Sequence, residues 1–367
     1  MSGASGGLAP HVLHVLPDDG ARSVIEAFGT KLRHTLLTAG GDLPEGMRHS
    51  AYLKPARNFP ALGGLPTPGR MQKLATALTQ FDLVLTYGYD ALDVAMAHTL
   101  FKDAMDLPAL IHHERVPDIG NGLKRTWYRR IALGKSAGLV VPSEALEETA
   151  LVDWQQPMGR VKRIPPGIDT RIFAKSPKKD GYRLIKRDGE LWAGAWPSSR
   201  DENALLDLIA AFKDMQPEWQ LVVLGDDLRS PAIEEAIDRF EINDRVYFPG
   251  TPRDPAKVIG LFDLFVEPAE LREFPIHVVE AMAASVPVVA LRAGECGEAV
   301  AEENHEWLVD VVRPETLGAN LRGLAGDRKA RAAVGEANRA RAVKQYDRSK
   351  TMDTYRRLYS SAMRTEF

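Results

Sequence analysis

The sequence predicts an α/β protein of two doubly wound domains, each a parallel sheet covered by helices. Three observations carry this reading. The apolar runs are short and rich in Val and Leu, and amphipathic stretches separate them, as when buried parallel strands alternate with helices. The chain has 367 residues, which is long for one core because domains cluster near roughly 100–150 residues, so two domains with a cleft between them are expected. A stretch with little apolar periodicity, 163–190, separates the two halves.

In the first half the strand candidates are 11–16, 81–86, 109–112 and 138–142, with good helices at 74–78 and 92–100. In the second half they are Leu191–Ala195, 220–225, 246–250, Leu264–Glu267, 286–291 and 307–311, again with helices between. Between the halves, Pro165, Pro166, Gly167, Pro177 and Gly181 sit among Lys175, Lys178, Lys179, Lys186 and Arg187, which reads as a linker. The last helix, about 349–363, carries Met352, Tyr355, Leu358, Tyr359 and Met363 at helical spacing. It needs a surface to bury against, expected near the seam.

Composition excludes several classes. With 44% hydrophobic and 26% charged residues and no run of eighteen apolar ones, the chain reads as globular, without a membrane-spanning helix. Residues 1–7 lack the basic start and apolar stretch of a signal peptide, so a cytoplasmic chain with a disordered start is expected. Forty-seven Lys and Arg against fifty Asp and Glu give a net charge of −3, which leaves no general attraction to nucleic acid and makes any anion site local. The single Cys296 forms no internal disulfide or thiolate zinc site, and the His residues lack HExxH spacing, so no metal is expected.

The most informative segment is 265–290, which reads as strand, loop, helix, strand. Pro275 suits a first helical turn, and Glu280-Ala281-Met282-Ala283 is strongly helix-forming. The free N–H groups of Ile276, His277 and Val278, with the positive end of the helix dipole, would suit a diphosphate. Glu280, about one turn farther in, is placed to accept hydrogen bonds from ribose hydroxyls. The same pattern is equally that of a plain βαβ unit with a surface loop, since every doubly wound domain has such helix starts.

The run 270–290 resembles the signature of the family 4 retaining glycosyltransferases, in which a Glu, seven residues and a second Glu precede Ala-Met-Ala and a Pro-Val-Val strand. Ile164-Pro165-Pro166-Gly167-Ile168-Asp169-Thr170-Arg171-Ile172-Phe173 is similar to the family's Ile-Pro-Asn-Gly-Val-Asp-Thr-x-x-Phe. Gly294-Glu295-Cys296-Gly297-Glu298 is similar to its Gly-Gly-x-x-Glu, and Val140-Val141-Pro142-Ser143-Glu144 to its Val-Ser-Glu. The resemblance covers most of the chain. It implies two Rossmann-like domains facing a cleft (the GT-B fold): an acceptor-side domain at 1–163, joined by a crossing helix at about 346–367, and a nucleotide-sugar domain at 164–345.

By the same resemblance Glu280 holds the ribose, and the helix start at Phe274, Pro275, Ile276 and His277 holds the diphosphate. Two departures stand out. Where the family's first Glu faces the transferred sugar this chain has Arg272, with Glu273 in a slot usually held by Gly, so Glu273 or Glu270 would take over or the sugar contact changes character. The family's Gly-Arg-Leu-x-x-x-Lys loop reads Gly194-Ala195-Trp196-Pro197-Ser198-Ser199-Arg200, with one cation lost and one kept as Arg. A leaving diphosphate needs positive charge, which Arg200 and Arg272 would supply together without a metal.

In the first domain, Gly20 follows the first strand as the family's acceptor-side glycine loop does, and would let backbone N–H groups approach the donor; it is otherwise a plain turn residue. Ile111-His112-His113-Glu114 looks like the family's Thr-Glu-His-Gly, which makes His113 the residue close to the transferred sugar. Neighbours on a strand point to opposite faces, so His112 cannot share that role. The segment 123–131 has four cations and no acid; as a helix it sets Leu123, Trp127 and Ile131 on one face and Arg125 and Arg129 opposite. It is either a core-packing helix with a solvated basic face or an anionic-membrane contact that delivers a lipid-linked acceptor, which would place the chain peripherally on the inner face of the cell membrane.

The expected function is retaining transfer of a sugar from a nucleotide-diphosphate donor, UDP foremost, to a glycan or lipid-linked acceptor, with the nucleotide sugar as co-substrate and no cofactor. A cation facing the sugar would favour an acidic one such as a uronic acid. The rival is a non-catalytic binding or partner subunit of the same fold. A dehydrogenase fits less well, because neither half shows Gly-x-Gly-x-x-Gly after a strand.

Overall fold

The computed structural model describes residues 8–43, 50–116, 122–175, 177–180, 182–197 and 201–367. The expected disorder of 1–7 and the candidate Arg200 lie outside the described residues. The chain divides into two compact units, one running to Pro165 and taking in Thr351–Phe367, the other Pro166–Lys350.

Among its described residues the first unit holds seven parallel strands: β1 (His11–Val15), β2 (Arg33–Leu37), β3 (Leu53–Pro55), β4 (Leu83–Tyr87), β5 (Ala109–His113), β6 (Gly138–Val141) and β7 (Val161–Arg163). Their order is β3-β2-β1-β4-β5-β6-β7. Between them run α1 (Asp19–Phe28), α2 (Pro68–Leu78), α3 (Leu92–Phe101), α4 (Gly122–Ala132) and α5 (Glu144–Val152). The side chains of Asp18, Thr67 and Ser143 accept N–H bonds at the starts of α1, α2 and α5, and Pro68 opens α2, so these starts are written in the local sequence. Leu74, Leu78, Leu92 and Ala95 pack against Leu13, Val84 and Leu110 to form the core on one face of the sheet.

The second unit holds β8 (Leu191–Ala195), β9 (Trp219–Val223), β10 (Val246–Tyr247), β11 (Leu264–Glu267) and β12 (Val288–Ala290), all parallel, in the order β10-β9-β8-β11-β12. Its helices are α6 (Glu202–Phe212), α7 (Pro231–Arg239), α8 (Ile276–Ala283), α9 (Glu295–Ala299), α10 (Pro314–Gly326) and α11 (Arg328–Gln345). Gly194 in β8 lies against Phe262: a Cβ there would meet that ring at 2.1 Å, so the strand admits no side chain at this point.

Several expectations need correction. β2, β3 and β7 carry Arg33, His34, Lys54, Pro55, Lys162 and Arg163, and do not read as apolar runs; β3 and β7 are edge strands, where charge and Pro are tolerated. The strand expected at 307–311 is absent: a 3₁₀ turn ends at Trp307 and a single bridge joins Val309 to Leu291. The segment expected to be a linker is largely packed on the second unit. Ile168 and Phe173 are buried, Arg183 donates to Pro249 O at 2.7 Å, and Lys186 pairs with Asp263 at 2.5 Å.

The last helix runs Arg348–Met363. Tyr359 is wholly buried beside Val12, Phe28, Leu85 and Ile111 of the first unit, and Met352, Leu358 and Met363 pack partly buried around it. Its first residues stay with the second unit, where Ile168 N donates to Tyr346 O and Arg348 N to Ile168 O.

Candidate functional site

In the second unit, β11 ends at Glu267, wholly buried, whose Oε1 accepts the Ala269 N–H at 3.2 Å. Buried Ala269 and Leu271 tie down the loop that follows, while Glu270, Arg272 and Glu273 stay exposed on it. Among the described residues Arg272 makes no ion pair, so it is not neutralised by Glu270 or Glu273 beside it. Phe274 packs edge-on against Tyr346 at 5.5 Å.

Pro275 is the N-cap of α8, one position before the first turn expected for it. Of the three donors expected at the helix head, Ile276 N–H is taken by Phe274 O at 2.9 Å. His277 and Val278 remain in the first turn, where no intrahelical acceptor is available to them. The His277 ring lies flat on Trp196, which follows β8, with centroids 3.8 Å apart and planes 5° from parallel. Its Nδ1 is 3.0 Å from Glu280 Oε2. The side chains of His277 and Glu280 are 21% and 12% exposed, so the carboxylate is held but not sealed.

Sequence reasoning treated His277 only as a backbone donor and passed over Trp196. The clue was Trp196 itself, a large aromatic in the slot where the family loop has Leu. The Gly294 motif lies near this loop: Gly294 has φ 75°, and a Cβ there would stand 3.0 Å from Leu271 O.

In the first unit, His113 is 6% exposed. Its ring stacks on Tyr87 at 4.6 Å and 18°, and its Nε2 is 3.1 Å from Tyr359 Oη. Burial, then His112, lowers its pKa to about 3, so the imidazole is neutral. The residue expected to line an open sugar site is thus enclosed in an aromatic cage closed by the C-terminal helix. The cage continues into a buried chain that patterning did not reveal: His14 Nδ1 is 3.1 Å from Tyr87 Oη and His14 Nε2 is 2.9 Å from His34 Nδ1. Burial lowers the pKa of His34 to about 4, and burial, then His34 and His113, holds that of His14 well below the usual imidazole range.

His112 points the other way, its Nδ1 2.9 Å from Thr86 Oγ1. Beyond it Arg129 of α4, 2% exposed, donates to Glu114 Oε2 through Nε at 3.1 Å and Nη2 at 2.7 Å. Burial opposes ionisation of Glu114, yet His112 and Arg129 hold its carboxyl below the usual range. Gly20 lies in the first turn of α1, where a Cβ would be 3.2 Å from Asp18 Oδ1. The left-handed residue between β1 and α1 is Leu16, at φ 53°, not Gly20.

Residues 199–341 match the model of the glycosyl transferases group 1 family. This range contains the Arg272–Glu280 loop and helix. The chain is 25% identical over 205 residues to N-acetyl-alpha-D-glucosaminyl L-malate synthase of Bacillus anthracis, covering 54% of this chain and 53% of that protein. It is 27% identical over 215 residues to D-inositol 3-phosphate glycosyltransferase of Segniliparus rotundus, covering 56% and 48%. The chain thus spans about half the length of these curated relatives. The crystal structure of Anabaena Alr3699/HepE in complex with UDP superposes with a TM-score of 0.75 at 17% identity, over 96% of this chain and 100% of that one. The fold is therefore of the GT-B kind, and the family match supports the resemblance to family 4-type glycosyltransferases.

Proposed function

We propose that the chain transfers a sugar, with retention of configuration, from a nucleotide-diphosphate donor to a hydroxyl of a glycan or lipid-linked acceptor. The observation that carries this reading is the head of α8, where two first-turn N–H groups, an unneutralised Arg272 on the preceding loop and a half-held Glu280 carboxylate lie within one short segment. The N–H groups and the helix dipole suit a diphosphate. Glu280 keeps Oε1 for a ribose hydroxyl while His277 occupies Oε2. Arg272, with Arg200, would stabilise the charge that builds on the leaving diphosphate, so the site needs no metal for that step. The Anabaena protein solved with UDP makes UDP the first nucleotide to test.

Arg272 admits two uses. Facing the sugar, it would pair with the carboxylate of a uronic acid; facing the diphosphate, it would replace the cation missing at Ala195, and the sugar would be neutral. Ala195 is also what favours the second reading, a donor-binding subunit without turnover. Incubation with UDP-, GDP- and TDP-sugars together with a panel of glycan and glycolipid acceptors tests both: a thermal shift with release of free nucleoside diphosphate and a product that keeps the donor's anomeric configuration by NMR supports transfer with retention. A shift without release supports the binding subunit, and no shift with any donor removes both.

A further inference from the structure

We propose that the outward face of α4 docks on an anionic lipid bilayer. Leu123, Trp127 and Ile131 stand one above another along this helix and are 80%, 58% and 50% exposed. The face that amphipathic patterning would bury is turned out. What turns it is Arg129 on the opposite face, bonded twice to Glu114 and lying 4.5 Å over the Trp154 ring. The ends of α3 and α5 adjoin this helix: the Thr99 hydroxyl donates to Ala132 O at 2.7 Å and Arg130 Nε to Asp153 O at 2.8 Å. Leu100 and Val152 are 55% and 64% exposed.

Charge selects the occupant. From Gly122 to Ser143 the chain has Lys124, Arg125, Arg129, Arg130 and Lys135 and no acidic residue. At helical spacing Lys124 and Arg130 flank the Leu123–Trp127–Ile131 stripe on its two sides, and Arg130 lies 5.1 Å over the Trp127 ring. Among the described residues neither Lys124 nor Arg130 makes an ion pair. An apolar stripe with an aromatic at its centre and cations on both flanks matches a bilayer surface, where the stripe enters the acyl boundary and the cations reach lipid phosphates. A second copy of the chain on the same face would oppose these cations to their own equivalents. Among the described residues no helix is long and apolar enough to cross a membrane, so the contact is with the surface.

The full chain is floated with POPC vesicles and with POPC–POPG vesicles at low and high salt. Flotation is expected with the anionic vesicles alone and should weaken with salt. Trp127→Ser and Leu123→Ser should each lower partitioning by about tenfold or more at unchanged Tm, because each removes an exposed apolar anchor. Leu65→Ser, at another exposed leucine (81%), should leave it unchanged. Absence of flotation with both vesicles overturns the proposal, as does flotation that Trp127→Ser and Leu123→Ser leave intact. So does a solution dimer that Trp127→Ser dissociates, which would give this face to a second copy.

Discussion

His277 lies flat on Trp196, 3.8 Å between ring centroids, and from that position its Nδ1 reaches Glu280. The stack fixes the plane of the imidazole, and the imidazole fixes one carboxylate oxygen. Trp196→Ala should therefore weaken donor binding several-fold without touching the donor, since an aromatic pair contributes about 0.5–1.5 kcal/mol beyond its buried area. Trp196→Phe should restore most of the loss. Isothermal titration with UDP-sugars measures both, and equal affinities for the Ala and Phe variants would show that the stack does not position Glu280.

Glu280→Gln should cost about 1.5–3 kcal/mol of donor affinity, the range for hydrogen bonds to a charged group, while leaving the fold intact. Unchanged affinity and rate in that variant would remove Glu280 from the donor site.

Arg272→Glu separates the two uses of that guanidinium. If it faces an acidic sugar, the variant should stop using UDP-glucuronate and gain activity on UDP-glucose; if it faces the diphosphate, the variant should bind every donor, and UDP itself, more weakly. A clear preference of the unmodified chain for UDP-glucose ends the acidic-sugar reading. Because Arg272 is exposed, neither result should come with a large change in Tm.

Acid should unfold the first unit. His34 and His113 are held to pKa values of about 4 and about 3, below the ordinary 6.5, by burial. Above pH 6.5 both states carry neutral imidazoles, so stability is fully present there. As pH falls from 6.5 toward 4 the unfolded chain takes up protons that the native state refuses, and each ring costs up to about 1.4 kcal/mol per pH unit. Denaturation midpoints across this range should fall steeply, and His34→Asn should flatten the acid limb. A midpoint independent of pH would contradict the burial of these rings.

Glu114→Gln should destabilise the protein by about 3–5 kcal/mol, because it removes the buried carboxylate charge to which the Arg129 guanidinium is bonded twice. Urea unfolding gives the number. A loss below about 1 kcal/mol would mean that water reaches the pair, as at an exposed salt bridge.

Much of the fold was legible in the sequence because parallel strands covered on both faces are mostly apolar, as in Leu83–Tyr87 and Leu264–Glu267, where only Thr86 and Glu267 interrupt the run. β2 was not: Arg33, His34 and Thr35 are polar, and His34 is buried with His14 of the neighbouring strand as the partner of its Nδ1. Such pairing is long-range and leaves no periodic trace. α4 misled for a related reason. Its three apolar residues mark the face that a core would take, but Glu114, distant in sequence, claims Arg129 for the interior and rolls that face outward. Glu280 and Arg272 were found by motif, whereas the side-chain role of His277 depends on Trp196, 81 residues earlier after the neighbouring strand β8, and only the folded chain brings them together.

The placement of Tyr359 sets the order in which the protein can fold as it is made. The sheet of the first unit is complete in sequence by Arg163, yet the surface that Val12, Phe28 and Leu85 present stays uncovered until the C-terminal helix has emerged. All of Pro166–Lys350 is translated in the interval. The unit encoded second can therefore close first, and the unit encoded first must wait as a sheet with an open apolar flank, the state most in need of a chaperone. Its final closure joins contacts from the two ends of the chain, which makes it the slow step of folding.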